Sequence, residues 1–307
     1  MTSPTQQTAT TTVLSGDEWR AIAETHAARA DALTAGRRAR ASRGETHPVD
    51  DFLFTYYSYK PSVLRRWHPG AGVALADADE RAGWRWYRSS DGDGGDVVVD
   101  TDAFRADRGN LITAVSRLLR ATSQRPAHFG CFGLHEWAMV YRDATPRHDV
   151  PLRLSAAETD AVVEASELRC THFDAYRFFT DAAVPRNHEP LSRDLQVARE
   201  QPGCLHAGMD LYKWAVKLGP LVPGEVLLDA FELARDIRTL DMQASPYDLR
   251  EWGYEPVAIE TVEGKTEYGR RQRAFSVRAA EIRISLLTRL GDGSSLNPPE
   301  SRVEPIG

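Results

Sequence analysis

The segment QPGCLHAGMDLYKWAVKLGP, residues 201–220, constrains this chain more than any other. Pro202–Gly203 opens it and Gly219–Pro220 closes it, so a helix over 204–218 has both ends set by residues that do not continue it. Leu205, Met209, Tyr212 and Val216 recur at helical spacing and make one apolar stripe. His206, Asp210, Lys213 and Lys217 make a second, polar stripe. The apolar face must pack on other elements. The polar face either meets water or sets His206 and Asp210 to act together near the helix N-terminus, where the dipole favours an anion. Ala207 and Gly208 beside them are small enough to let another group approach closely.

The same period marks other helices. Trp19, Ile22, His26, Ala30 and Leu33 follow Ser15–Gly16–Asp17, a capped start. Leu111, Ile112, Val115, Leu118, Leu119 and Thr122 follow Asn110 and end before Pro126. Leu227, Phe231 and Ala234 define another, and Phe275, Ala279, Ile282, Leu286 and Leu290 the last. GVALAD (72–77), WRWYRS (84–89) and DVVVD (96–100) predict an antiparallel meander. Residues 128–142 read as a strand pair, because two glycines interrupt them, and 150–155 and 167–174 as further strands. Helices outweigh strands and the order does not alternate. The prediction is therefore α+β: a single mixed domain, helix-rich with a small antiparallel sheet.

Residues 1–14 and the tail 291–307 read as disordered, which leaves one domain over 15–290. No window reaches the ~18 consecutive apolar residues of a membrane span, so no membrane is expected. A net charge of -6 argues against coating nucleic acid through bulk charge. The runs Arg37–Arg38–Arg40–Arg43 and Arg270–Arg271–Arg273 still offer local basic patches or solvated faces. Cys131, Cys170 and Cys204 form no CxxC pair, which speaks against a zinc ribbon or a disulfide framework. The N-terminus lacks the basic start and apolar run of a signal peptide, and a reducing cytoplasm is expected.

Chemistry concentrates in dense blocks. In DFLFTYYSYKPSVLRRWHPG (51–70), Tyr56, Tyr57 and Trp67 lie beside Arg65 and Arg66. Aromatic faces stack bases and arginines neutralise phosphates, although a buried aromatic core has the same composition. CFGLHEWAMVYR (131–142), read as extended, sets His135, Trp137, Met139 and Tyr141 on one face and Glu136 on the other. A buried Glu has a raised pKa, as a general acid or base needs; a salt bridge is the alternative. The HE pair lacks the second His of HExxH. In LRCTHFDAYRFF (168–179), His172 and Asp174 would share one side of a strand, as an acid/base or metal-ligand pair or as a local hydrogen bond. Residues 240–257 read as a long loop whose Tyr247, Trp252 and Tyr254 close over a pocket or pack as a connection. GxGxxG, Walker A and GxSxG are absent, and DGDGGD (91–96) matches a calcium loop in composition alone.

The blocks FLFTYYSYKPSVLRRWHPG, CFGLHEWAMVYR, LRCTHFDAYRFF, EQPGCLHAGMDLYKWAVKLGP and LDMQASPYDL resemble a family of bacterial proteins labelled 3-methyladenine DNA glycosylase, over about residues 17–290. The glycine-rich hairpin of helix-hairpin-helix glycosylases is not found here. The resemblance implies a DNA N-glycosylase of base-excision repair, a hydrolase that flips an alkylated base into an aromatic pocket. A carboxylate then assists hydrolysis of the N-glycosidic bond. On that reading Glu136, Asp174, Asp210 and His206 are the catalytic candidates. Tyr56, Tyr57, Trp67 and Trp137 would stack the base, Arg65, Arg66 and Lys213 would hold phosphates, and no cofactor is expected.

The alternative is a metal-dependent enzyme acting on a small aromatic or nucleotide-like substrate. His135, His172 and His206 would hold non-haem iron or zinc with Glu136, Asp174 or Asp210. A third reading is a ligand-binding protein without catalysis.

Overall fold

The computed structural model describes residues 12–90, 95–143 and 150–291. The expected disorder of 1–11 and 292–307, and most of the DGDGGD loop, lie outside the described residues.

The chain enters through strand β1 (Thr12–Leu14) and helix α1 (Gly16–Ser42). Ser15 and Glu18 form a reciprocal capping box: the Ser15 hydroxyl accepts from the Glu18 amide, and the Glu18 carboxylate accepts from the Ser15 amide at 2.9 Å. Two single-turn helices follow, α2 (Phe52–Tyr56) and α3 (Pro61–Arg65). Then come β2 (Val73–Leu75), α4 (Asp79–Ala82), β3 (Tyr87–Ser89) and β4 (Val97–Val99). The strands make one sheet in the order β1-β2-β4-β3. β1 is parallel to β2, with Thr12 opposite Val73, while β4 is antiparallel to both β2 and β3.

The α+β fold is as expected, and the described chain is one domain. The sheet is mixed rather than antiparallel, because residues 12–14, read as part of a disordered end, add a parallel edge strand. The three expected strands do not meander either, since β4 inserts between β2 and β3.

α5 (Thr101–Ser123) starts on an Asp100 cap, ten residues before the sequence period becomes clear at Leu111, and its helical geometry breaks at Arg108. α6 (Leu134–Ala138), α7 (Ala156–Glu164), α8 (Phe173–Tyr176) and α9 (Gln196–Arg199) are short. They overturn the strands expected over 128–142, 150–155 and 167–174. There the pairing reduces to single bridges, Leu152 with Tyr247 and Leu168 with Asn187. Short apolar runs fit a buried helical turn as well as a strand, and here burial on all sides selects the turn.

Three long helices make the centre. α10 (Leu205–Leu218) ends at Gly219, as expected, and packs on α11 (Gly224–Gln243) and α12 (Val262–Arg289). α12 begins 13 residues before the apolar period that marks it. α11 runs to Gln243, so Asp241 stands on a helix rather than in the loop read over 240–257. A Cβ at Gly208 would come within 3.1 Å of Ile237 and 3.6 Å of Ala279, so this glycine lets α10, α11 and α12 converge two residues after His206. Among the described residues no helix is long and apolar enough to cross a membrane.

Candidate functional site: a buried histidine–carboxylate centre

Successive turns of α10 supply His206, Asp210 and Lys213 on one face. The apolar stripe opposite, with Leu205, Met209 and Tyr212 buried in the core, fixes this rotation of the helix. Around His206 stand α6 with His135 and Glu136, α11 with Arg238 and Asp241, the segment before α8 with His172, and Glu200 at the end of α9. α6 is aimed by a strained turn: Phe132 has φ 47°, although it is not glycine, and Gly133 has φ 74°. A Cβ on Gly133 would meet the Tyr268 ring at 3.2 Å and Ala244 at 3.3 Å, so glycine is needed for both reasons.

The charged groups fall into two sets. In one, His135 Nε2 lies 2.7 Å from Asp241 Oδ1, and Cys131 Sγ lies 3.3 Å from His135 Nδ1. Burial alone would push the His135 pKa down, but Asp241 and Cys131 hold it well above the usual histidine value. Asp241 is fully buried; burial opposes its charge, and His135 and Arg238 outweigh that and keep it ionised. Arg238 Nη1 donates to Glu136 Oε1 at 2.9 Å and reaches Asp241 Oδ2 at 3.5 Å, with its guanidinium 3.8 Å over the Phe52 ring. Glu136 is nevertheless raised, because burial exceeds the pull of Arg238.

In the other set, His172 Nε2 is 3.4 Å from both Glu200 Oε1 and Asp210 Oδ2. Burial works against the His172 charge, and the two carboxylates more than restore it. Tyr57 donates its hydroxyl to Asp210 Oδ1 at 2.7 Å, and Lys213 donates to Asp210 Oδ2. Burial would raise Asp210, but Lys213 and His172 keep it well below the ordinary range. Glu200 is raised, chiefly by burial and then by its neighbour Asp210. Asp174 pairs with Arg193 and stands 3.9 Å from Lys213.

His206 stands between the sets. Its ring meets His135 edge to face at 4.5 Å and lies over His172 at 5.4 Å, and it makes no hydrogen bond to a described residue. Burial, then repulsion from His135 and His172, lowers its pKa to about 3, so it is neutral at pH 7. The ligand atoms of His135, His206 and Asp241 lie within 4.8 Å of one another, and so do those of His172, Glu200 and Asp210. A cavity of about 10 Å³ beside Cys131, Cys204, His135 and His206 has room for one water molecule.

The centre therefore joins His135, Glu136, His172, His206, Asp210 and Lys213 from separate sequence blocks, with Asp174 at its edge. Tyr56 and Tyr57 border it: their rings meet at 4.9 Å, and Tyr57 touches Tyr212 at 5.7 Å. Trp137 is buried in the core and donates to Ala244 O at 2.8 Å. Arg65, Arg66 and Trp67 belong to another neighbourhood. Arg65 pairs with Asp31 on α1, Arg66 lies over Trp84, and Trp67 stacks on Trp19 with Arg81 against both indoles. His172 and Asp174 do not share a strand face; His172 immediately precedes α8, and Asp174 lies in its first turn. His135 and Glu136 are likewise on a helix, and both turn inward.

Sequence reading missed Glu200, Asp241, Arg238, Arg193 and Cys131. Glu200 opens the block EQPGCLH, and Asp241 opens DMQASPYDL. Both acids stand beside buried, motif-rich stretches, and that placement was the available signal.

Fold and site define an α+β protein with a buried histidine–carboxylate centre between α6, α10 and α11. Compared with known proteins, the chain matches no family model, no curated protein and no solved structure.

Proposed function

We propose that this protein is a metal-dependent enzyme acting on a small aromatic or nucleotide-like substrate. One observation carries the reading: three histidines and three carboxylates from five segments present their ligand atoms in two sets, each within 4.8 Å. Imidazole with carboxylate is the donor mix of non-haem iron and of zinc. Neutral His206 is a ready ligand, and the His172 Nδ1 atom is buried without a partner.

A bound ion would supply Lewis acidity and a more acidic water. The chain does the rest. Asp241 and His135, 2.7 Å apart, would hold the ion together with His206, and Arg238 fixes both Asp241 and Glu136. Glu136, raised by burial, is the candidate proton carrier. Phe52, Tyr56 and Tyr57 give an aromatic wall, with Phe52 and Tyr56 stacked at 5.1 Å, that suits a flat substrate. All three cysteines are free thiols, which suits a reducing cytoplasm.

The DNA-glycosylase reading would draw on the same Glu136, Asp174 and Asp210. Each is already held by a cation, respectively Arg238, Arg193 and Lys213. Arg65, Arg66 and Trp67 are engaged with α1 and its neighbours, which favours the metal reading.

Elemental analysis of the purified protein tests the proposal. Stoichiometric iron or zinc, lost on chelation and restored on adding the ion, is the expected result. A protein that neither carries nor takes up either ion would refute it. Release of abasic sites from alkylated DNA by a metal-stripped protein would favour the glycosylase instead.

A further inference from the structure

We infer that the centre holds two divalent transition-metal ions side by side, one on His135, His206 and Asp241, the other on His172, Glu200 and Asp210. This rests on the metal reading and adds a second ion to it.

An imidazole donates a lone pair in the plane of its ring. His172 lies over the face of His206, with the planes 24° apart, so their lone pairs run beside one another rather than converging on one point. His135 meets His206 at 80°, an arrangement in which edge and face leave in-plane donors free to turn toward a shared ion. The grouping of ligand atoms follows these ring contacts: His206 belongs with His135 and Asp241, and His172 with Glu200 and Asp210.

The second set has the spacing of a coordination shell. His172 Nε2 stands 3.4 Å from Glu200 Oε1 and equally 3.4 Å from Asp210 Oδ2. One N–H cannot serve both oxygens well, and these are long for charged hydrogen bonds. Ligands bound tetrahedrally at about 2.0–2.1 Å lie about 3.3–3.4 Å apart. His172, Glu200 and Asp210 are all 3% exposed or less, yet His172 Nδ1 has no partner. Glu200 Oε1 also accepts from Gln196 at 2.6 Å, and Asp210 from Tyr57 and Lys213. The group that internal pairing leaves unmet is therefore His172, with two long contacts at Nε2 and none at Nδ1, and an ion between it and the two carboxylates accounts for that spacing.

Lys213 donates to Asp210 and so stands beside the second position. It also has Asp174 Oδ2 at 3.9 Å, a second carboxylate to which its ammonium can transfer when an ion engages Asp210. The first set is the 2-His-1-carboxylate combination suited to iron; the second is richer in oxygen.

The test is a metal count. The full-length protein is stripped with chelator, reconstituted with Zn(II) or, without oxygen, with Fe(II), desalted, and measured by elemental analysis. The wild type is expected to hold two ions per chain. Glu200→Gln and Asp241→Asn are each expected to hold one, with unchanged circular dichroism. A wild type with one ion overturns this inference while the metal reading stands, and a wild type with none overturns both. Glu200→Gln retaining two ions also overturns it. If either variant fails to fold, the wild-type count alone decides, two supporting and one refuting.

Discussion

His206 meets His135 edge to face at 4.5 Å, yet the two rings are driven in opposite directions. Asp241 and Cys131 push the His135 pKa well above the usual value, and burial lowers that of His206 to about 3. A partly buried imidazole with no hydrogen bond contributes little to folding, so its presence needs another reason. His206→Ala is therefore expected to cost about 1 kcal/mol or less in urea unfolding, while removing the ion of its set. A large loss of stability with unchanged metal content would show that the ring is there for packing.

Arg238 is the cation that allows Glu136 and Asp241 to be buried together. Removing it leaves the Glu136 carboxylate without a cation in the core and Asp241 with His135 alone, so Arg238→Met is expected to cost about 3–5 kcal/mol. Adding Glu136→Leu to that variant removes the stranded charge and should return part of the loss. Urea unfolding of the single and double variants measures the recovery. No recovery would mean that Glu136 is satisfied by something other than Arg238.

The helical scaffold was legible because its signals are local. Ser15 with Glu18, and the stop at Gly219–Pro220, set helix ends without help from the rest of the chain. His206, Asp210 and Lys213 could be placed on one face for the same reason. The partners of that face could not. Asp241 was read as loop, and Glu200 passed unnoticed, because pairing across 28 to 106 residues leaves no periodic trace. His135 and Glu136 were put on opposite faces of a strand, where a single helical turn after Gly133 directs both inward. Arg65, Arg66 and Trp67 show the converse error of inference. Proximity in sequence to Tyr56 and Tyr57 suggested one pocket, but α3 and the turn after it lead Arg65 and Trp67 to Asp31 and Trp19 on α1, and Arg66 to Trp84.

Acid stability provides a test remote from the centre. His68 Nδ1 lies 2.7 Å from the Tyr87 hydroxyl, and burial, with Arg81 and Arg66 nearby, lowers its pKa from 6.5 to about 3. Between those values the unfolded chain binds a proton that the folded chain excludes. Stability is therefore lost as pH falls below 6.5, by about 2 kcal/mol at pH 5 from this group. His68→Asn keeps a polar atom near Tyr87 without a titrating ring. Its loss of stability from pH 7 to pH 5 should be smaller than the wild type's by about that amount, measured by urea unfolding. Equal losses would place the acid sensitivity elsewhere.

Arg283 on α12 is 1% exposed, and its Nε and Nη2 atoms have no partner. Burial lowers its pKa to about 10, with Glu200 and Cys204 opposing. A buried cation without hydrogen bonds is a net cost, so Arg283→Met, close in volume and apolar, is expected to stabilise the protein by about 1–4 kcal/mol. A thermal melt gives the sign directly. A fall in melting temperature would mean that the charge on Arg283 is needed to balance Glu200, and that the two act as a distant pair.

Gly133 tests whether the strained turn serves the site or only the fold. A side chain there meets φ 74° and two hard neighbours, the Tyr268 ring at 3.2 Å and Ala244 at 3.3 Å. The left-handed backbone alone costs a non-glycine residue about 1–2 kcal/mol. Gly133→Ala should show that loss in unfolding and should also displace α6, which begins at the next residue and carries His135. Metal content is the informative measurement, since a purely structural glycine would lower stability and leave the ions bound. We expect the ion on His135, His206 and Asp241 to weaken and the one on His172, Glu200 and Asp210 to remain. Arg81→Met is the control: it removes a buried cation that donates to Trp67 O at 3.0 Å and lies against Trp19 and Trp84, away from the centre. At matched stability it should keep its full metal content, because destabilisation by itself does not move α6.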